Sequence, residues 1–489
     1  MGLSSLLSVA QSALLAQQRA VGVIGHNIAN AETPGYTRQR PRLTSIAPAD
    51  IHAGVAGRGV EFVAIDRVRS SFYDESWRRE AGLGSRYRTL EQTLGQISGV
   101  LGEPSDTGLA ASLDGLIDAF QTLASNPIDP AGQTVVLGKI QELVGQFHAI
   151  DARLDQIGQN IGAELSQSVR DVNSLITELD GLNARIRQTG GGAPDLLDRR
   201  DVILDQLSQR LDVRAITRSD GAADVFVGGL QVVNATVGHQ SIGVSGSGPY
   251  QITVGTPPNA VGQVGGRVAG LIEAFTALGT EGTAATRATG IRGQLDDLAL
   301  GIVAAFNEIH SDYDPLTKPL QPTLTPAPTP LRTIVPLFDI GGVTAGSIQL
   351  NPVIAANPAQ LAAGWSTAPG DNSIALRLGQ LRSLVVPIPG ATSGSSTSPA
   401  VAAGSGMALG DYYTNLVGTL GVAARDAGNQ AFGQDTLVDH LEAQRQNAGG
   451  VNLDEEMVHL IEHQQAYTAA ARLIKVADEM LQELVNLGR

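Results

Sequence analysis

Apolar residues recur at helical spacing over most of this chain, and the longest such row lies in its second quarter. Val136, Ile140, Leu143, Phe147, Ile150, Leu154, Ile157, Ile161, Leu165, Val169, Val172, Ile176, Leu179, Leu182 and Ile186 follow one another at steps of three and four. Steps of that size keep side chains on one helix face. Three consecutive steps of four around Ile161–Val169 read as a stutter, which locally unwinds a supercoil. At 1.5 Å per residue the row is a rod of roughly 75 Å. A helix of that length cannot bury its row alone and needs partner helices along it. The tract Gly190-Gly191-Gly192-Ala193-Pro194 stops it, and a second helix starts near Asp195 with Leu196, Ile203, Leu207 and Leu211 on one face.

Both chain ends carry similar rows. At the N-terminus the row is Leu3, Leu6, Ala10, Ala13, Gln17, Ala20, Ile24, Ile28. It ends where Asn27, Asn30 and Pro34 compete with or forbid helix. At the C-terminus the row is Leu453, Met457, Leu460, Gln464, Tyr467, Ala471, Ile474, Asp478, Leu481, Val485. Asn452 and Glu455 have the spacing of a capping box in front of it. Isolated helices of about 40–50 Å are marginal in water, so the two ends are expected to pair with each other and with neighbouring subunits. The candidate subunit-interaction residues are Leu3, Leu6, Ala10, Ala13, Gln17, Ile24, Ile28, Leu453, Met457, Leu460, Tyr467, Ile474, Leu481 and Val485.

Between these rows the pattern changes. Arg42–Ile46 and Val60–Ile65 are short strand candidates, and residues 73–124 read as helix with breaks near Pro104 and Pro127. Val213–Ile216, Val225–Val227 and Gln251–Val254 are β-prone pieces between glycine turns. Helical spacing returns over Gly265–His310 and from Gly410 to about Gln446. Residues 337–390 read as strand and turn, including Ser347–Leu350, with a short helix over 372–384. The expected fold class is mainly α with β, in three nested parts. Segments 1–40 and 447–489 form a terminal coiled-coil domain. Segments 41–211, 263–312 and 405–446 form a long helical bundle. Segments 212–262 and 331–395 form a β-rich outer domain, with 313–330 a Pro-rich linker.

Composition narrows the function classes. The chain has 489 residues, a net charge of −15 and no Cys. Disulfides, Cys-based metal centres and a thiol nucleophile are therefore excluded. The acidic balance argues against nucleic acid, whose phosphates need clustered Lys and Arg. Only three Lys occur (Lys139, Lys318, Lys475), none with the glycine spacing of a phosphate loop. No apolar run approaches the ~18 residues of a membrane span. Residues 1–18 carry no charged side chain, and their apolar positions are interrupted by serines, unlike a secretory signal.

Two clusters could carry chemistry. His459, Glu462 and His463 match the H-x-x-E-H pattern of one zinc-peptidase class. The competing reading is the polar flank of a coiled-coil helix, and it is preferred because the pattern is short and lacks a third ligand. Asp198, Asp201 and Asp205, set among Arg199 and Arg200, could be an acid–base or metal cluster. They read better as a solvated helix face. No glycine loop or nucleophile–His pair is found, and neither a cofactor nor an enzymatic activity is expected.

The ends carry a resemblance. The stretch from Asn27 through Ile28, Asn30, Thr33, Pro34 and Gly35 to Tyr36 resembles the N-terminal signature of bacterial flagellar axial proteins: rod, hook and hook-associated protein 1. Gly450-Val451-Asn452-Leu453-Asp454-Glu455-Glu456, Gln464-Gln465-Ala466-Tyr467 and Ala477-Asp478-Glu479-Met480-Leu481 resemble the matching C-terminal signature. Thr37-Arg38-Gln39, the tract Asp195–Asp201 followed by Leu207-Ser208, and the form of the Gly450–Glu456 stretch favour the hook-associated protein 1 family over a hook or rod component. The Pro-rich segment stands where larger members carry an extra outer β domain. The resemblance implies a structural junction between flagellar hook and filament, outside the cell. It implies export by the flagellar type III apparatus without a cleaved signal. It also implies self-assembly, contacts with the hook protein and a second junction protein, and an export chaperone at the C-terminal region. An absence of Cys suits a chain threaded unfolded through a narrow channel.

Overall fold

The computed structural model describes residues 3–47, 58–103, 105–246, 250–279, 290–311, 334–366, 368–384, 386, 388 and 406–487. Helix α1 (Leu3–Ala29) leads into a hairpin of β1 (Gln39–Ser45) and β2 (Val60–Arg67). Then come α2 (Ser71–Leu101), α3 (Leu109–Ser125), α4 (Pro130–Gln188) and α5 (Pro194–Arg210). Helix α4 runs 59 residues, about 88 Å at 1.5 Å per residue. Pro130 opens it at a position where no amide is needed, and the Asp129 carboxylate accepts from Ala131 N. Every one of the fifteen residues from Val136 to Ile186 in the predicted row is buried.

The row is covered in stages. Helices α3, α5 and α6 (Gly266–Leu278) lie against α4, and α7 (Ile291–Ser311) completes the far end. The resulting core is continuous from Leu94 on α2 to Leu420 on α10 (Leu409–Gly449). Helix α10 lies antiparallel along α2, with Arg88 pairing with Asp435 and the Tyr413 hydroxyl 3.4 Å from Leu101 O. Helix α11 (Leu453–Leu487) then returns along α1.

Two small antiparallel sheets cover the C-terminal half of α4. One is β3 (Val213–Thr217), β4 (Ala223–Val227), β5 (Leu230–Asn234) and β6 (Gly238–His239), in that order. The other is β7 (Ile242–Ser245), β8 (Gln251–Val254) and β9 (Asn259–Ala260). Strand β4 alternates buried and half-buried residues, as a sheet with one covered face must. The sheets are clipped to α4 by two asparagines. Asn183 donates to Ala223 O and accepts from Ala223 N, both at 2.9 Å. Asn173 does the same to Ile242 at 2.8 Å. A side-chain amide thus substitutes for a neighbouring strand.

The structure departs from the expected organisation in two places. The β1–β2 hairpin packs on α1, where Ser12 Oγ accepts from Val60 N at 3.2 Å and Arg19 lies over the Phe62 ring. It was expected within the bundle. Residues 337–390 were read as strand and turn with a short helix over 372–384; that helix is present over 373–378, but in place of strands the described part holds only the isolated bridges Phe338↔Leu350 and Val386↔Met407. Short helices α8 (Pro352–Ala356) and α9 (Ser373–Leu378) fill the rest, and the segment packs on α3, α4 and α7. Here helix side chains take the backbone groups that a strand would pair, as Asn307 does with both N and O of Phe338. The Pro-rich linker 313–330 and the Ser/Gly/Ala-rich stretch 391–405 lie outside the described residues.

Replacing Asn183 by Leu keeps the size but leaves both groups of Ala223 unpaired. At about 1–3 kcal/mol for each buried unsatisfied group, urea denaturation should show roughly 2–5 kcal/mol lost. A loss below about 0.5 kcal/mol, the range of ordinary surface substitutions, would contradict the clip.

Candidate functional site

The two chain ends meet at a polar knot. Helix α1 ends at Ala29 through a turn in which Thr33 N bonds Asn30 O and Tyr36 N bonds Thr33 O. Gly35 sits at φ 80°, and a Cβ there would lie 2.3 Å from Val202 Cγ2 on α5. Only glycine lets this turn seat against α5. The backbone then passes between helices. Arg38 N donates to Gly449 O at the end of α10, and Val68 N donates to Arg38 O.

Asn27, fully buried, is satisfied on every side. Its amide nitrogen donates to Gln39 O and to Glu456 Oε2, both at 2.8 Å. Its oxygen accepts from Tyr36 OH at 2.8 Å and Gln39 N at 3.0 Å. Glu456, on the first turn of α11 and 2% exposed, also accepts from Arg38 Nε at 2.6 Å. Arg38 NH1 reaches Glu455 at 2.8 Å. The expected capping box is therefore only half formed. Asn452 Oδ1 accepts from Asp454 N, while Glu455 is drawn off to Arg38. His26 Nδ1 lies 3.0 Å from the Tyr36 hydroxyl. Burial, then the carboxylates of Asp195, Asp198 and Glu456, push the Tyr36 phenol well above its usual range, so it stays a donor.

The knot continues into α5, and here the solvated-face reading of Asp198, Asp201 and Asp205 is overturned. Asp198 and Asp201 are 6% and 3% exposed. Arg67 lies 2.6 Å from Asp198 and 2.8 Å from Asp201. Arg69 and Arg200 also reach Asp201, at 3.2 and 2.8 Å. Asp205 is shared by Arg78 at 2.6 Å and Arg445 at 2.7 Å, and Arg445 stacks over Trp77 and pairs with Asp74. The arginines come from β2, the β2–α2 joint, α2, α5 and α10, so sequence spacing on α5 alone could not show them. Burial alone would raise Asp201, but Arg69, Arg200, Arg67 and Arg78 hold it well below the usual carboxylate range. Asp198 is raised, because burial outweighs Arg67 and Thr37. A cleft of about 1310 Å³ borders the knot between the Thr33–Tyr36 turn and the α10–α11 joint. On that side the terminal unit is held to the bundle by ion pairs rather than by an apolar wall.

The terminal helices pair by a row the sequence did not single out. On α11, Glu456 and His463 bond Asn27 and Gln17 of α1, and His459, Ala466, Ala470 and Ala477 near their row are buried or half-buried. The predicted row runs one residue later throughout, and Ala471 on it is half-buried. Leu453, Met457, Tyr467, Leu481 and Val485 are 36–62% exposed, and Leu460 and Ile474 are half-buried. On α1, Ala10 and Ile24 are buried, Leu6, Ala13, Gln17 and Ile28 are half-buried, and the side chain of Leu3 lies outside the described residues. Ala16, Val23 and Asn27 are buried but were absent from the predicted row. Of the motif residues, Asn30 returns its amide to His26 O, Thr33 bonds Asn30 Oδ1, and Pro34 is exposed at the turn.

The H-x-x-E-H residues are engaged within the helix pair. His463 Nδ1 lies 2.5 Å from Gln17 Oε1 on α1, and His459 Nδ1 lies 3.2 Å from Glu462. Burial and the neighbouring His459 lower the proton affinity of His463. Among the described residues no group of three or more His, Asp or Glu is placed to hold a metal ion, and no helix is long and apolar enough to cross a membrane.

Family models match three parts of the chain. The flagellar hook-associated protein FlgK helical domain matches residues 94–314. The flagellar basal body rod FlgEFG protein C-terminal matches 437–487, and the flagella basal body rod protein matches 7–37. The chain is 30% identical to flagellar hook-associated protein 1 of Bacillus subtilis, over 98% of this chain and 97% of that protein. It is 25% identical to flagellar hook-associated protein 1 of Salmonella typhimurium, over 99% and 100%. A solved structure described as the flagellar hook junction protein FlgK from Burkholderia pseudomallei superposes with a TM-score of 0.42 at 23% identity, over 49% of this chain and 44% of that one.

The knot predicts an order of effects at neutral pH. A carboxylate depressed in the folded state stabilises it above the unfolded pKa of about 3.9, and this is lost as pH falls through the folded value. A raised carboxylate works the other way, its charge costing stability at neutral pH. Asp201→Asn should therefore destabilise by about 3–5 kcal/mol at pH 7, leaving four arginines around a neutral amide. Asp198→Asn, which keeps an acceptor for Thr37 N, should cost distinctly less. Equal losses in urea titrations, or the reverse order, would contradict this reading.

Proposed function

The chain belongs to the flagellar hook-associated protein 1 family, and from that premise we propose that it forms the junction between flagellar hook and filament, assembled through its terminal helices. It is a structural protein of the bacterial flagellum. The observation that carries the mode of assembly is the exposed row on α11. The face toward α1 is built from small and polar residues, and the larger apolar residues Leu453, Met457, Tyr467, Leu481 and Val485 stand 36–62% exposed. Fully burying a side chain of that size contributes about 1.5–3 kcal/mol. A row of them along about 50 Å of helix is an interface between copies, and a head-to-tail contact that does not close on itself builds a helical array.

The same reading includes export through the flagellar type III apparatus without a cleaved signal, and an export chaperone at the C-terminal region. The partners are other copies of the chain, the hook protein on one side and a second junction protein on the other. A non-enzymatic role is supported by the use of every candidate catalytic residue in internal contacts. His463 is engaged by Gln17 and Asp201 by arginines.

Two tests follow. Met457→Glu combined with Tyr467→Glu should leave the monomer within about 0.5 kcal/mol of the parent, since both positions are exposed. It should nevertheless abolish incorporation into flagella, read by electron microscopy and filament recovery; normal assembly would refute the interface. Deleting the gene should leave hooks intact while filament subunits leak into the medium. A strain without hooks would instead place the protein in the hook or rod.

A further inference from the structure

The terminal pair of helices carries two apolar faces, one on each side of the row by which α11 meets α1. Asn27 bonds Glu456 and Gln17 lies against His463, so α11 runs antiparallel to α1. The β1–β2 hairpin covers the side of α1 that holds Ser12 and Arg19. Leu7, Leu14, Val21 and Ile28 follow at steps of seven on the side away from the hairpin, and all four are half-buried. At about 100° per residue they stand roughly a quarter turn beyond the α11 contact. Two antiparallel helices of the same hand bring their quarter-turn rows to one side. Met457, Leu460, Tyr467 and Ile474 of α11 therefore face the same way, and the two rows wall a groove about 30 Å long.

The second face belongs to α11 alone. Val458, Ala469, Leu473, Val476 and Met480 lie about half a turn round the helix from the groove row. The four larger ones are 38–55% exposed. From Ala469 to Met480 the steps are four, three and four, the spacing of a coiled-coil seam. We propose that this ridge seats in the α1–α11 groove of the next copy of the chain, so that the contact between subunits is heterologous. The inference rests on the assembly reading above and names the surface that meets the outward row.

The occupant follows from the chain itself. The groove wall on α11 is the outward row already assigned to a subunit contact, so the two surfaces are continuous. A groove between two helices offers holes to the knobs of a third, and the ridge supplies knobs at that spacing. Residues 1–18 of α1 carry no charged side chain, so this wall offers nothing to a charged ligand. An isologous contact would use one face twice and leave the other bare on both copies. A different partner in the groove would leave the ridge bare as well, and contiguous apolar patches of this kind mark interfaces. A ridge-in-groove contact covers both faces with one interface. Each added copy still presents a groove at one end and a ridge at the other, so the array grows without closing on two subunits.

The lack of native Cys makes the contact readable in intact flagella. Leu14→Cys is combined in one chain with Val458→Cys, Val476→Cys or Met480→Cys, and the flagella are oxidised. Counted from the Gln17–His463 contact, each pair stands about eight or more residues apart along its own helix pair. That is about 12 Å or more, beyond the ~7 Å Cα separation of a disulfide, so links report neighbours. The expected result is a ladder of dimers, trimers and longer species from at least one double variant, with every single-Cys variant monomeric. Val476→Cys alone should also react with a maleimide at least tenfold more slowly in flagella than in the free chain. Dimers from a single-Cys variant would show like faces meeting, and monomers from all three double variants would show the groove filled by something else; either overturns the proposal. Unprotected Val476→Cys beside protected Met457→Cys would overturn it while leaving assembly through α11 intact. Both thiols unprotected would remove the assembly reading too.

Discussion

One carboxylate sets the rotation of the C-terminal helix. Glu456 is buried on the first turn of α11 and must be met by donors, because an unpaired buried charge costs several kcal/mol. Asn27 from α1 and Arg38 from the turn after it supply them. Once Glu456 points inward, the residues on its row, His459, His463, Ala466, Ala470 and Ala477, must face α1. Of the larger apolar row one residue later, Leu453, Met457, Tyr467, Leu481 and Val485 are then carried outward, while Leu460 and Ile474 stay half-buried. A pairing that buried Met457 and Tyr467 against α1 would turn Glu456 into an apolar interface or leave Asn27 unsatisfied. The polar contact thus fixes which face closes the chain on itself and which is turned to solvent.

The same contact joins the terminal unit to the bundle. Arg38 and Gln39 lie between Glu456 on one side and the α5 carboxylates on the other, and Gln39 Nε2 donates to Asp195. Arg67, Arg69 and Arg445 extend the network to α2 and α10. Ion pairs of this kind are costly to bury and specific in geometry. They hold one arrangement of five chain segments far apart in sequence, which apolar packing would specify less sharply.

A second recurrent device is the helical asparagine whose amide pairs with both backbone groups of one residue. Asn27 does this to Gln39, Asn173 to Ile242, Asn183 to Ala223 and Asn307 to Phe338. Each clip fastens an extended segment to a helix where no strand is available.

Legibility in the sequence followed the physics of each element. The α4 row was readable in full because a long helix with one covered face repeats a single signal fifteen times. The terminal helices were readable as helices, and the signature residues from Asn27 to Tyr36 marked the place where the ends meet. The rotation of α11 was not readable, since periodicity finds the most apolar face and Glu456 chose the adjacent one. The α5 carboxylates were misread because four of their five arginines, Arg67, Arg69, Arg78 and Arg445, come from other segments. The most direct test uses the absence of native Cys: Met457→Cys is labelled with a maleimide in the free chain and in intact flagella. The account predicts rapid labelling of the free chain and strong protection after assembly. A thiol at 457 that reacts equally fast in both would show that the outward row of α11 does not meet another subunit.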